Sequence, residues 1–180
     1  GTISLRLDDG CFLITPYGID RALVEEEDLV LMQDGKAESG KCPSRAVLLH
    51  EQVYRHNPGL GCLILAQPPC VMAFAVSHTP LDTLLMPETF VFLREVDLVP
   101  YGPQYQDPAG VARKISLRAP VLLVENECIL TAGRTLLEAY DRLEVAEFSA
   151  RSFIDARLLG GVQKISPAEK KALEEAFLKG

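Results

Sequence analysis

The sequence predicts a single α/β domain in which helices pack on a mixed or mostly antiparallel sheet. Its length of 180 residues, 48% of them hydrophobic, is typical of one globular domain. Short alternating segments joined by Asp-Gly turns indicate β-hairpins. Longer segments with helical periodicity separate the later strands, so those strands are expected to be connected through helices.

The amino-terminal quarter is predicted to form short strands joined by tight turns. Asp-Gly and Pro-containing turns supply the backbone angles that reverse the chain. The expected elements, in order, are a strand at 3–7, the turn Asp8-Asp9-Gly10, a strand at 11–15, the loop Thr15-Pro16-Tyr17-Gly18, a turn at 25–28, a strand at 29–32 and the turn Asp34-Gly35.

The first helix is predicted to begin at the N-cap Ser44 and to end near His56, before Asn57-Pro58-Gly59. Its buried side is expected to carry Val47, Leu48, Val53 and Tyr54. The expected elements after it are a strand at 62–66, a helix at 70–78, a strand at 95–100, a helix at 109–116, a strand at 121–125, a tight turn at 126–128, a strand at 129–132, a long helix at 135–159 and a helix at 166–178 that starts with Ser166-Pro167-Ala168-Glu169.

Composition excludes several classes of protein. A net charge of −7 without a basic stripe argues against nucleic-acid partners. No apolar run approaches the roughly 18 residues of a membrane span, and no secretory leader is visible. Five cysteines without C-x-x-C spacing favour a soluble protein in the reducing cytoplasm. The start at Gly1, without methionine, is interpreted as that of a fragment or processed product.

Five segments resemble the motifs of one family. Residues 1–6 (GTISLR) resemble G-N-x-S-x-R, and residues 13–18 (LITPYG) resemble L-I-T-P-S-G. Residues 42–46 (CPSRA) resemble P-S-S-E, and residues 123–130 (LVENECIL) resemble L-x-E-N-H-G-x-L. Gly133-x-Thr135-Leu136-x-Glu138-Ala139 follows at matching spacing. Together, in register over nearly the whole chain, they are similar to the class II aldolase and adducin-head family.

The resemblance implies the architecture and the assembly. It implies a three-layer α/β/α domain with a central, mainly antiparallel sheet, formed by residues 1–180 without the family's amino-terminal helices. It also implies a homo-oligomer, a tetramer in the usual case, with sites between subunits.

The family's chemistry, as the resemblance implies it, needs a divalent metal held by three histidines and a glutamate that moves a proton. The matching positions here hold Leu65, Gln67 and Glu127 in place of the histidines and Ala46 in place of the glutamate. Leucine offers no lone pair, and an amide is a poor zinc ligand. We therefore expect no metal, no other cofactor and a degenerate member of the family. A new metal site from Glu127, Gln67 and Cys128 is weighed against a hydrogen-bonded Gln67–Glu127 pair, which we favour.

The anion-binding loops are better preserved than the metal positions. The family holds phosphate at positions that correspond here to Gly1 and Thr2 and to the candidate anion-binding residues Thr15, Gly18, Ser44 and Arg45. A helix N-terminus and an arginine both favour an oxyanion. These residues are equally typical of turns and caps, so both interpretations stay open.

Three hypotheses about function follow. The first is a non-catalytic binder of a small anionic or phosphorylated metabolite, or an assembly or regulatory subunit. The second is a sugar-phosphate aldolase or epimerase-type lyase with metal-independent chemistry, in which Glu127, Tyr101 or His50 acts as acid or base. The third is a structural role, or an inert partner in a mixed oligomer whose active homologue supplies the ligands. Membrane and nucleic-acid partners are not expected.

Overall fold

A computed structural model describes residues 1–178 and contains one sheet with helices on both faces. The strands are β1 (Thr2–Asp8), β2 (Cys11–Ile14), β3 (Val30–Gln33), β4 (Lys36–Ala37), β5 (Cys62–Ala66), β6 (Asp97–Val99), β7 (Val121–Val124) and β8 (Cys128–Gly133). The helices are α1 (Val47–His56), α2 (Pro69–Ser77), α3 (Pro87–Leu93), α4 (Pro103–Gln106), α5 (Pro108–Ala112), α6 (Leu136–Leu158) and α7 (Pro167–Phe177).

The sheet has the order β4-β3-β2-β1-β5-β8-β7-β6, and only the β6–β7 pair is parallel. The central strands are buried on both faces, as β7 illustrates. Leu122 and Val124 pack in a cluster with residues of α1 and α5. Val121 and Leu123 pack in a second cluster with residues of α2, α3 and α6. The predicted three-layer α/β/α architecture with a mainly antiparallel sheet is therefore confirmed.

The predicted start and buried face of α1 are wrong in part. The helix begins at Val47, and its N-cap position is Ala46, which has no side chain able to cap it. Leu48 is exposed, and the structure buries Leu49 and His50 instead. The pattern of apolar residues did not predict this face because the face includes a histidine, whose Nδ1 is hydrogen-bonded to Ser4 and whose Nε2 has no partner among residues 1–178.

The segment 81–107 contains two helices that the sequence analysis did not predict. Helices α3 and α4 each begin with a proline, which is well suited to the first helical position because its missing N–H has no partner there. The strand in this segment is shorter than the predicted 95–100, and α5 ends at Ala112 rather than at residue 116.

The last two helices begin where the sequence predicts. The Thr135 hydroxyl accepts the backbone N–H of Glu138 at 3.1 Å, and Ser166 forms a capping box with Glu169. Gly133 precedes α6 so closely that an added Cβ would lie 2.6 Å from the backbone nitrogen of Ala139. Within residues 1–178, no helix combines the length and the apolar character needed to cross a bilayer.

A buried polar cluster ties β1 to α1. The Ser4 Oγ lies 2.7 Å from His50 Nδ1 and 2.7 Å from the Tyr54 hydroxyl oxygen. Burial lowers the pKa of His50 to about 3. His50 is therefore neutral in the folded protein over the whole range in which an exposed histidine titrates.

Acidification from pH 7 to pH 5 is expected to reduce the free energy of unfolding by about 2 kcal/mol through His50. The unfolded state takes up a proton near the ordinary histidine pKa, whereas the folded state does so only near pH 3. The stability present at neutral pH is therefore lost as the pH falls. Urea unfolding at both pH values measures the loss. The loss should shrink in His50→Gln and persist in His56→Gln, which changes an exposed histidine; equal losses in all three proteins would contradict the assignment.

Candidate functional site

A polar pocket of about 450 Å³ lies where β1 begins and β5 ends. Most of the candidate positions from the sequence line it, and these are Gly18, Ser44, Arg45, Ala46, Leu65, Gln67 and Glu127. Gly1 and Thr2 line it as well. Residues from five separate segments of the chain thus meet in one cavity.

Sheet register places Leu65, Gln67 and Glu127, which we expect to match the family's metal ligands, near one another. Leu65 is in β5 opposite Thr2 of β1, and Gln67 directly follows β5. Glu127 lies in the turn between β7 and β8, and β8 pairs with β5. The Gln67 side-chain amide donates to the backbone oxygen of Glu127 at 3.3 Å. The favoured Gln67–Glu127 contact therefore exists, but through the backbone of Glu127 rather than its carboxylate.

The loops that carry Thr15 and Ser44 are joined to each other and to β1 by hydrogen bonds. The Ser44 backbone N–H donates to the Thr15 oxygen at 3.1 Å, and the Ser44 and Thr2 hydroxyls lie 2.5 Å apart. Thr15 is buried, does not line the pocket, and accepts the backbone N–H of Ile3 at 3.2 Å. Thr15 therefore holds the loop in place and is not positioned to contact a ligand.

Ser44 is not the N-cap of α1, as the sequence analysis expected. Its Oγ accepts the N–H of Ala46 at 3.4 Å in the turn before the helix, so it caps that turn. Gly18 has φ +81, and an added Cβ there would meet nothing within 4 Å. Its role in the loop is conformational, since this positive φ favours glycine.

Two arginines line the pocket in different ways. Arg21, which the sequence analysis did not single out, donates to the carbonyl oxygens of Gly1, Pro16 and Ile19 and so braces the loop. Arg45 is exposed, with its guanidinium carbon 5.7 Å from the centre of the Tyr17 ring. Among residues 1–178, Arg45 has no hydrogen-bonded or ion-paired acceptor, so its donors can serve a ligand.

In the same pocket, the Tyr105 hydroxyl donates to Glu127 Oε1 at 2.7 Å. Burial raises the pKa of Tyr105 to about 12, and the Glu127 carboxylate adds to the shift. Tyr105 is therefore a neutral donor at physiological pH. The sequence analysis named Tyr101 instead, because the helix that carries Tyr105, α4, was not predicted. His50, the other named acid or base, is buried and does not line the pocket.

The side chains in this pocket do not fit a zinc ion held by three histidines. Ala46 and Leu65 carry no side-chain ligand atom, and Gln67 offers only an amide oxygen, which is a poor ligand for zinc. Burial, followed by the charge of Glu127, raises the pKa of the Cys128 thiol to about 12, which disfavours a thiolate ligand. Within residues 1–178, no three His, Cys, Asp or Glu side chains are grouped as a metal site.

Comparison with known proteins gives consistent matches. The Class II Aldolase and Adducin N-terminal domain model matches residues 1–154. The chain is 31% identical to L-fuculose phosphate aldolase of Methanococcus vannielii over 153 residues, covering 84% of this chain and 82% of that protein. It is 27% identical to 3-oxo-tetronate 4-phosphate decarboxylase of Haemophilus influenzae over 159 residues, covering 85% and 76%. The solved structure of YgbL from Escherichia coli matches with a TM-score of 0.80 at 28% identity, covering 96% of this chain and 86% of that one.

Proposed function

Because this chain belongs to the class II aldolase and adducin family, we propose that it binds a small phosphorylated metabolite in the polar pocket. In this proposal the chain does not perform metal-dependent cleavage of its ligand. One observation carries the proposal. The Arg45 guanidinium is free, and it lies in a pocket where the residues at the former metal positions do not form a set of metal ligands. The names of the two curated relatives, a phosphate aldolase and a phosphate decarboxylase, support a phosphorylated ligand.

The arrangement around Arg45 suits an oxyanion. A guanidinium presents several N–H groups in one plane, which matches two oxygens of a phosphate. The stacking on Tyr17 orients this plane without using its donors. The Thr2 and Ser44 hydroxyls lie in the same pocket and can add a hydrogen bond to the anion.

Arg45→Ala is expected to weaken phosphate binding by about 10- to 100-fold, the range of a charge-assisted hydrogen bond. Titration calorimetry with L-fuculose phosphate and with inorganic phosphate measures the change. Arg55→Ala is the matched control, because Arg55 is on α1 outside the pocket and pairs with Glu51. Equal affinities of Arg45→Ala and the wild type would overturn the proposal.

A second candidate function is favoured by the Tyr105–Glu127 pair. A carboxylate that accepts a hydrogen bond from a tyrosine hydroxyl at 2.7 Å can act as a general base without a metal. This is the metal-independent, lyase-type alternative. Consumption of L-fuculose phosphate by metal-free protein, and its loss in Glu127→Gln, would move the assignment to this candidate.

Assembly and location are parts of the same proposal. We propose that residues 1–180 form one domain and that copies associate into a homo-oligomer, or into a mixed oligomer with an active homologue. Large apolar side chains exposed on α6 support an interface, and these are Leu136, Leu137, Tyr140 and Phe148. All five cysteines are free thiols, which supports a reducing compartment such as the cytoplasm.

A further inference from the structure

Four charged side chains line the polar pocket, two of each sign, and two of them are hydrogen-bonded to backbone groups of residues 1–22. Arg21 is bound to three backbone carbonyl oxygens. Asp20 accepts the N–H of Ala22 at 2.9 Å and caps a short helical turn. Arg45 and Glu127 remain, and among the described residues neither side chain forms a salt bridge with another side chain.

The side of the pocket at Glu127 retains two hydrogen-bond acceptors. Tyr105 donates its proton to Oε1 of Glu127, so the second carboxylate oxygen is available. The Gln67 nitrogen donates to the backbone oxygen of Glu127, so its side-chain oxygen is also available. Gln67 and Glu127 can therefore both accept a hydrogen bond from a ligand, while the second N–H of the Gln67 amide remains as a donor.

We propose that the pocket selects a zwitterionic ligand, with its anionic group at Arg45 and an amino group at Glu127 and Gln67. This inference rests on the proposed function and specifies the class of ligand. A carboxylate at this side attracts an ammonium group and repels a second anion, because opposite charges in a partly enclosed site interact more strongly than in water. An amino phosphate fits both sides, whereas a phosphorylated acid fits only one.

Matched pairs of linear ligands test the selection. The probes are ω-aminoalkyl phosphates and ω-carboxyalkyl phosphates of equal chain length, measured by titration calorimetry over a series of lengths. The wild type is expected to bind the amino member of the best-fitting pair at least about tenfold more tightly, as for one charge-assisted hydrogen bond. Arg45→Ala should weaken both members together.

Two variants separate a direct role of Glu127 from a structural one. Glu127→Gln should reduce the preference for the amino ligand to about twofold or less, because the amide has no charge. Tyr105→Phe removes a competing donor and frees Oε1, so the preference should be kept or increased. The control Glu144→Gln changes an exposed carboxylate of α6 outside the pocket and should leave the preference unchanged.

The outcomes distinguish the two proposals. Absence of binding by every phosphate, including inorganic phosphate, would overturn the proposed function and this inference together. Equal binding of amino and carboxy ligands, with both weakened by Arg45→Ala, would overturn only the zwitterion selection. If Glu127→Gln keeps the preference for the amino ligand, Glu127 does not bind the amino group.

Discussion

Ser4→Ala is expected to lower the free energy of unfolding by about 3 kcal/mol, because it leaves two buried groups without their partner. The Ser4 hydroxyl is the shared partner of His50 Nδ1 and the Tyr54 hydroxyl, each at 2.7 Å. Both side chains are buried, so water cannot replace the lost hydrogen bonds. The loss is larger than that of an ordinary surface substitution.

Urea unfolding of Ser4→Ala, compared with two other variants, measures this cost. Tyr54→Phe removes one of the two contacts, retains the ring and should cost about 1 kcal/mol. Ser152→Ala is the control, because this serine of α6 lies outside the cluster and its change should stay within about 0.5 kcal/mol. If Ser4→Ala is as stable as the control, the cluster does not hold β1 to α1.

This cluster matters for the pocket because it joins β1, which contributes Thr2 to the lining, to α1, which directly follows the lining residues at 44–46. Ser4 lies two residues after Thr2 on β1, and His50 lies one turn into α1, which follows Ser44 and Arg45. The hydrogen bond between Thr2 and Ser44 is thus supported by a second contact deeper in the core. We therefore expect Ser4→Ala to weaken phosphate binding as well as stability.

The sequence predicts the fold best where the pattern of side chains is local. The strand at 62–66 is found at Cys62–Ala66 because a short apolar run ended by two prolines has few alternatives. The start of α6 after Thr135 is also local, since the capping hydroxyl and the backbone N–H that donates to it are three residues apart. The helices α3 and α4 escaped prediction because each is short and begins with a proline, which reads equally well as a break.

The residues of the site were harder to predict from the sequence than the fold. The spacing of the motifs identified Ala46, Leu65, Gln67 and Glu127 as positions of one site, and all four line the pocket. It gave no sign of Tyr105, whose contact with Glu127 crosses 22 residues and depends on a helix that was not predicted. Thr15 matched its motif, yet its hydroxyl accepts the backbone N–H of Ile3 in β1. A motif identifies the position of a residue, whereas the direction of its side chain depends on tertiary contacts.

Restoring imidazoles at three positions is expected to convert the pocket into a zinc site. The triple variant Leu65→His, Gln67→His and Glu127→His should bind about one zinc ion per chain with a Kd of about 1 μM or tighter, since three histidines and a water complete a tetrahedral site. The geometry favours this result, because these three residues line one pocket and the Gln67 side chain already reaches the Glu127 backbone at 3.3 Å. The wild type is expected to bind zinc far more weakly.

Elemental analysis after dialysis, followed by competition with a chromogenic chelator, measures the stoichiometry and the affinity. The double variant Leu65→His and Gln67→His is the matched control and should bind at least about 100-fold more weakly, since it lacks the third ligand. Tight binding by the triple variant alone would mean that the fold still places these positions at ligand distance and that substitution removed the metal. If the triple variant binds no more zinc than the wild type, the match between these positions and the family's ligands is wrong, and the pocket must then be explained through Arg45, Tyr105 and Glu127 alone.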